Sequence, residues 1–266
     1  MTAKEYSGMA RYYDAIYSSI VDYERELRRV EKIFRKHNSR KTRSILDVAC
    51  GTGNYTFIFA RKGFRTVGID LSESMIEAAK SKIGSKKNPR FFKMDMRRIT
   101  LREKFDAATV LFGGFGYLTY SEDVLKFFRQ AKKILNPGGL LVLEFWQSTG
   151  VLPAAAGASG NTNWDRAEFE GKRILRLNRG KYDPTTNMLA INFDFYIVDL
   201  KANRLVDHFE ELHTVKTYNV SDMKETLEDG GFKPLAFYEA GLGSGGELQP
   251  HSIGTFRVMA VATPNE

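Results

Sequence analysis

Cys50 is the single cysteine of this 266-residue chain. One thiol excludes an internal disulfide, and it excludes a cysteine cluster for zinc or iron–sulfur. No apolar run approaches the roughly 18–20 residues of a membrane helix, and the polar N-terminus carries no secretory pattern. The expectation is a protein of the reducing cytoplasm that makes no use of a membrane. Acidic residues are also short, 32 Asp and Glu against 40 Lys and Arg, which leaves a net charge of +8. Charged residues at 27% and hydrophobic residues at 42% describe a chain that packs a core. The length allows one large domain or a domain with an insertion, and no internal repeat is visible.

What the chain does have is a series of apolar runs closed by turns. Ile45–Gly53 reads ILDVACGTG, and seventeen residues after Gly53 a second run, VGID, ends in Asp70. In an α/β sheet, glycines let the first strand-to-helix turn pass close to a ligand with no Cβ in the way. An acid closing the second strand accepts hydrogen bonds from both hydroxyls of a ribose. The pattern therefore points to a nucleoside. A dinucleotide fingerprint places a third glycine three residues after the second, and Thr56 stands there instead. Asp47 would repel a pyrophosphate, whereas it suits a zwitterionic or cationic ligand oriented through water.

Read coarsely, a helical region Glu5–His37, broken near Ser18–Ser19, opens the chain. Ser44–Val48, Arg65–Ile69, Arg90–Met94, Ala107–Leu111 and Leu140–Phe145 read as strands, with helices over Tyr55–Lys62, Ser74–Ile83 and Ser121–Leu135 between them. Strands alternating with helices imply a parallel sheet with ligands at the carboxyl ends of its strands. After Phe145 the rhythm changes. Gln147–Asn163 reads as a flexible loop, and Lys172–Arg179, Leu189–Leu200 and Arg204–Tyr218 alternate like an antiparallel meander. A helix over Ser221–Asp229 and paired strands Lys233–Glu239 and Thr255–Thr263 finish the chain. The expected fold is a doubly wound, mostly parallel α/β sheet with an antiparallel β lid inserted after strand five. Its parts are an N-terminal helical cap (1–43), a ligand-binding core (44–146), the lid (147–218) and the last helix with the final strand pair (219–266).

DVACGTG resembles the first motif of the class I S-adenosylmethionine (SAM)-dependent methyltransferases almost letter for letter, through Asp47, Ala49, Gly51 and Gly53. The resemblance continues in order over about a hundred residues and implies a seven-stranded Rossmann-like sheet. It implies that Asp70 and Leu71 take the ribose motif and that Met75 lies near the adenine. Asp95 then pairs with the adenine amino group and Met96 stacks on the ring. Phe105–Leu118, with Leu111, is similar to the fourth strand and the loop facing the methyl group, and Asn136–Phe145 to the turn into strand five. SAM is the implied cofactor and S-adenosylhomocysteine (SAH) its product. The lone Cys50 lies in the cofactor turn, so no second thiol exists for a C5-cytosine methyltransferase, and no cluster exists for radical-SAM chemistry. Gly113–Gly116 replaces the Asn/Asp-Pro-Pro-aromatic tetrad of amino-methylating DNA and glutamine enzymes.

The lid position and RYYDAIY, Arg11–Tyr17, resemble the sugar N-methyltransferases and glycine N-methyltransferase-like enzymes. That subgroup implies that Tyr17 covers the methionine end of the cofactor. The arginine those relatives use for the cofactor carboxylate is replaced here by Ser19-Ile20-Val21-Asp22, with Arg25 or Arg28 as substitutes. Tyr117 aligns with a residue that faces the acceptor and is assigned a catalytic, substrate-orienting role; the alternative is a packed aromatic. Glu144 and Trp146 either line the acceptor pocket or cap the next loop. His213, with Glu211 on the same strand face, is either an acid–base pair over the substrate or a solvated sheet surface. Arg173 and Arg176 read as anion ligands or as exposed charges.

Residues 24–43 carry nine Lys/Arg against three acids, and residues 80–104 ten against two. Such an excess can draw a chain to RNA, yet it lacks the interleaved aromatic platform of single-strand binders. The leading expectation is direct in-line methyl transfer to a small-molecule acceptor, at nitrogen before oxygen. RNA as acceptor, a SAM-binding module without transfer, and a homodimer through the lid or the N-terminal helix remain open.

Overall fold

The computed structural model describes residues 6, 8–38, 40–85, 87–155, 162–240 and 246–265. After a 3₁₀ turn at Met9–Arg11, helices α1 (Tyr13–Tyr17) and α2 (Tyr23–His37) precede the first strand. The core then runs β1 (Ser44–Val48), α3 (Asn54–Arg61), β2 (Arg65–Asp70), α4 (Glu73–Ser81), β3 (Arg90–Lys93), β4 (Phe105–Val110), α5 (Ser121–Ile134) and β5 (Leu135–Trp146). Helix α6 (Ser148–Ala155) leads to four strands, β6 (Thr162–Phe169), β7 (Lys172–Asp183), β8 (Met188–Asp199) and β9 (Arg204–Lys216). Helix α7 (Val220–Asp229) and strands β10 (Phe232–Glu239) and β11 (Arg257–Pro264) close the chain.

The larger sheet has the order β3-β2-β1-β4-β5-β11-β10. Strands β1 to β5 are parallel, and β11 runs antiparallel between β5 and β10. The order reverses at β1, so the crevice above β1 and β4 is the switch point where such sheets bind ligands. Successive residues of each strand serve opposite layers. Ile45, Ala107, Val142 and Val261 pack with α2 and α3, while Leu46, Ala108, Leu143 and Ala260 pack with α5 and α7. Phe127 and Phe128 of α5 are wholly buried on one side, as are Leu27 and Ile33 of α2 on the other. Burial of each such side chain contributes about 1.5–3 kcal/mol.

Local chemistry fixes the ends that matter for the site. Asp22 caps α2 by accepting the Arg25 amide, and Ser72 caps α4 by accepting the Met75 amide. Gly53 enters α3 at φ +83°, and a Cβ there would overlap the Phe91 ring. The break at Ser18–Ser19 falls between α1 and α2 as expected.

The second sheet, β6-β7-β8-β9, is antiparallel throughout. It has four strands where three were expected, and the segment read as a loop contains α6 and the start of β6; residues 156–161 of that loop, and Glu5 of the first helix, lie outside the described residues. Ile174, Phe195 and Ile197 of its inner face pack on Met9, Tyr12 and Ile16. Leu189 and Val215 pack on Tyr117 and Val151, with Trp146 against them. This sheet, the N-terminal segment and the carboxyl ends of β1, β2 and β4 thus enclose one space.

Candidate active site

Two lobes meet at Ala49, Asp70 and Tyr117. One, of about 570 Å³, is lined by Tyr6, Tyr13, Tyr23, Asp47, Gly51 and Phe112, with Thr52, Asn54, Tyr55, Met75 and Leu111 beside them. The other, of about 360 Å³, is lined by Leu71, Met94, Asp95, Met96, Arg97 and Leu118. Each forms where the turn after a strand bends sharply. Ala49 and Gly51 take φ +54° after β1, and Phe112 and Gly113 take φ +59° and +80° after β4. A left-handed conformation at Ala49 and Phe112 is strained for residues with a Cβ, and such strain gathers at functional sites.

Asp70 is buried, and its carboxylate oxygens accept backbone amides from Gly51 and from Ser72, both at 2.8 Å. Burial raises its pKa in spite of those amides. Asp47 of β1 accepts from Thr56 of α3 at 2.6 Å and from Thr109 of β4 at 3.0 Å. Thr56, at the position of the missing third glycine, is therefore the residue that anchors Asp47. Burial still pushes the Asp47 carboxyl up to about 6. Cys50 lines the same lobe, and burial pushes its thiol up, which keeps it protonated and without nucleophilic character.

Asp95 is held at both oxygens by Arg97, whose guanidinium also reaches Asp123 at 2.6 Å. Gly53 does not line either lobe; it shapes the entry to α3. Tyr17 does not line them either. It lies one turn beyond Tyr13 on α1, where Arg176 of β7 donates to its hydroxyl at 2.8 Å. From the N-terminal segment, the tyrosines at the cleft are Tyr6, Tyr13 and Tyr23. Asp14, between Tyr13 and Tyr17, fastens α1 to the glycine turn by accepting from Thr52 at 2.5 Å, Asn54 at 2.9 Å and Lys82 at 2.6 Å.

On the acceptor side, Tyr117 and His213 are buried together, with Tyr117 Oη 2.6 Å from His213 Nδ1. Glu211 Oε2 accepts from His213 Nε2 at 3.1 Å, and Glu211 Oε1 accepts the amides of Gly8 and Met9 at 2.9 and 3.0 Å. Tyr6 Oη lies 2.6 Å from Tyr117 Oη and its ring stands edge-on to His213. The solvated-surface reading of His213 and Glu211 is corrected: both are buried under the second sheet. Trp146 packs beside Tyr117 at the mouth of this cluster and stacks near Phe256.

Glu144 is also corrected. Its carboxylate faces α2 and is taken at 2.7 and 2.9 Å by Arg257, which binds Glu26 as well. Glu26 in turn accepts from the Tyr55 hydroxyl. Glu144 therefore holds the underside of the cleft and does not line it. Arg176 is likewise no exposed charge; it is buried against Tyr17 and Asp165.

The lining fits a cationic nucleoside. Gly51 has nothing within 4 Å of where a Cβ would stand, so the turn leaves a cradle open to a ligand. Asp70 offers about four lone-pair sites and receives the amides of Gly51, Leu71 and Ser72, which leaves acceptor capacity for a ligand. Two buried carboxylates without a lining cation in the larger lobe suit a sulfonium.

Fold and cleft together define an enzyme that uses a nucleoside cofactor, and comparison with known proteins says which. Residues 45–139 match the family described as a methyltransferase domain. The putative methyltransferase YqeM of Bacillus subtilis (strain 168) is 29% identical over 236 residues, covering 86% of this chain and 86% of that one. A dTDP-3-amino-3,4,6-trideoxy-alpha-D-glucopyranose N,N-dimethyltransferase of Streptomyces venezuelae is 25% identical over 220 residues, covering 83% and 87%. The crystal structure of an S-adenosylmethionine-dependent methyltransferase from Clostridium acetobutylicum ATCC 824 matches with a TM-score of 0.78 at 21% identity, covering 98% and 99%. The protein is a SAM-dependent methyltransferase, similar over most of its length to sugar N-methyltransferases. Tyr6, Tyr13, Tyr23 and Phe112 are cleft residues that sequence reasoning missed; the tyrosine-rich opening of the chain was the available signal.

Proposed function

We propose that the protein methylates a nitrogen of a small-molecule amine, with residues 147–218 as the lid over the acceptor. The observation that carries this reading is the buried chain Tyr6–Tyr117–His213–Glu211 at the junction of the two lobes. In the cofactor, Asp70 receives the ribose, Leu71, Asp95 and Met96 surround the adenine, and Met75 and Leu111 border the larger lobe. SAM, when bound, supplies an activated methyl for in-line transfer to an acceptor nitrogen.

The chain's own task is then to align that nitrogen, exclude water and take its proton. An amine is mostly protonated at neutral pH and must lose a proton before it can attack. Glu211 accepts from Nε2–H of His213, which leaves Nδ1 as the acceptor for the Tyr117 proton. As Tyr117 Oη takes a proton from the substrate ammonium, it passes its own to Nδ1, and Glu211 stabilises the imidazolium. The logic is that of a nucleophile–histidine–carboxylate triad used on a proton alone.

The amine relatives support a nitrogen acceptor. Against an RNA acceptor, part of the two basic runs is already paired: Lys32 with Glu247, Lys82 with Asp14, Arg90 with Glu103, Lys93 with Glu73, and Arg97 with Asp95 and Asp123. The test is incubation with methyl-labelled SAM and a cell extract split into small metabolites, RNA and protein. Label is expected in an amine of the small-metabolite fraction, and label in RNA would reject the reading. With that acceptor, Tyr117→Phe and His213→Gln should each lower kcat by roughly 10²-fold with SAH affinity unchanged. Unchanged turnover would remove the relay from the mechanism.

A further inference from the structure

Tyr23 is a cleft residue whose hydroxyl proton finds no acceptor in the protein itself. Its ring packs edge-on to Tyr55 at 5.0 Å and lies 6.4 Å from Phe112. A phenylalanine would make the same contacts. The hydroxyl is fully buried; the Asn54 amide approaches its oxygen, and its proton has no acceptor among the described residues. Burying a hydroxyl proton without an acceptor costs stability that phenylalanine would not, so the group is placed there for a ligand. Burial also pushes its pKa up, which keeps the phenol a donor at neutral pH.

The position of Tyr23 says which part of the ligand it meets. The lobes join at Asp70, where the ribose is held. The lobe with Leu71, Asp95 and Met96 takes the adenine, so the amino-acid tail of SAM extends into the other, which Tyr23 lines. No lysine or arginine lines that lobe among the described residues. The Thr52 hydroxyl and one of the two Asn54 amide hydrogens are committed to Asp14, and the other Asn54 hydrogen faces the Tyr23 oxygen. Arg61 and Lys82, on the outer side of Tyr23, are paired with Glu24 and Asp14. Arg25 and Arg28, the substitutes named from the sequence, lie beside Gly246 and outside the lining.

We infer that the Tyr23 hydroxyl donates to the α-carboxylate of the cofactor, in place of an arginine. The enzyme then recognises the cofactor tail through a neutral donor, and discrimination against a tail-less nucleoside rests on this hydroxyl. The inference concerns the cofactor alone and is independent of which acceptor is methylated.

Calorimetric titration of the purified chain with SAH and with 5′-methylthioadenosine, which keeps the nucleoside and lacks the amino-acid tail, tests it. Tyr23→Phe should weaken SAH binding about tenfold or more and leave 5′-methylthioadenosine unchanged. The melting temperature of the ligand-free variant should not fall, because a hydroxyl whose proton has no acceptor is removed. An equal loss for both ligands would place the hydroxyl's effect on the nucleoside or the fold, and an unchanged SAH affinity would place the carboxylate elsewhere; either overturns the inference. Tyr55→Phe, whose hydroxyl is held by Glu26, is the control and should not separate the two ligands.

Discussion

In the floor of the cleft, Asp47 and Asp70 are buried with hydroxyls and backbone amides as their partners and no cation beside them. In the roof, Arg176 pairs with Asp165, and Glu211 is held by Nε2–H of a neutral His213 and by the Gly8 and Met9 amides. The floor is thus electronegative until a ligand arrives, and a sulfonium supplies the missing positive charge. The roof holds its buried acid against a histidine and differs in being able to pass a proton. The difference separates two jobs: floor residues govern what binds, and roof residues govern turnover.

The largest effect that can challenge this contrast lies beneath the floor. Arg257 is the cation for Glu144 and Glu26, so Arg257→Met strands two buried carboxylates. Denaturant unfolding should show a loss of about 3–5 kcal/mol. A loss within error of zero would mean that buried acids here need no cation, which would dissolve the distinction between Glu144 and Asp47.

Asp47 gives the next effect, as a pH dependence. Its folded pKa, up to about 6, exceeds the ordinary value of 3.8. The folded state therefore holds this proton more tightly, and stability is lost as pH rises from about 4 to about 6 and is level above that. Asp47→Asn cannot ionise. Its stability relative to the parent should rise across that window, by an amount of order 3 kcal/mol. Urea midpoints of both proteins at intervals between pH 4 and 7 measure it, and a constant difference would refute the uncompensated floor. The smallest effect sharpens the contrast. Asp70→Ala should weaken SAH binding by more than about tenfold, whereas His213→Gln should leave it unchanged; parallel losses in both would merge floor and roof.

The floor was legible because its partners are local. ILDVACGTG and VGID each carry a strand, the turn and the acid within a few residues, and the bonds from Gly51 to Asp70 and from Thr56 to Asp47 follow from strands that lie side by side. Glu144 was misread because its partner Arg257 comes 113 residues later and arrives only through the pairing of β5 with β11. Tyr17 was assigned by resemblance, and a tyrosine-rich helix does not announce which side will dock; that side is set by Asp14 reaching the glycine turn. β6 escaped notice since its sequence, TNWDRAEF, is largely polar, and its support is the ladder to β7. α6 carries Gly150 and Pro153, residues that argue for a loop when tertiary packing is not known.

One contact ties the timing of the reaction to the shape of the chain. The amides of Gly8 and Met9 hold one oxygen of Glu211, and Tyr6 touches Tyr117 at the other end of the relay. Any excursion that lifts Tyr6, Gly8 and Met9 from the cleft breaks those bonds and leaves Glu211 without its backbone brace. An open gate and an idle base are then a single event, as in an interlock that cuts the current when the door is opened.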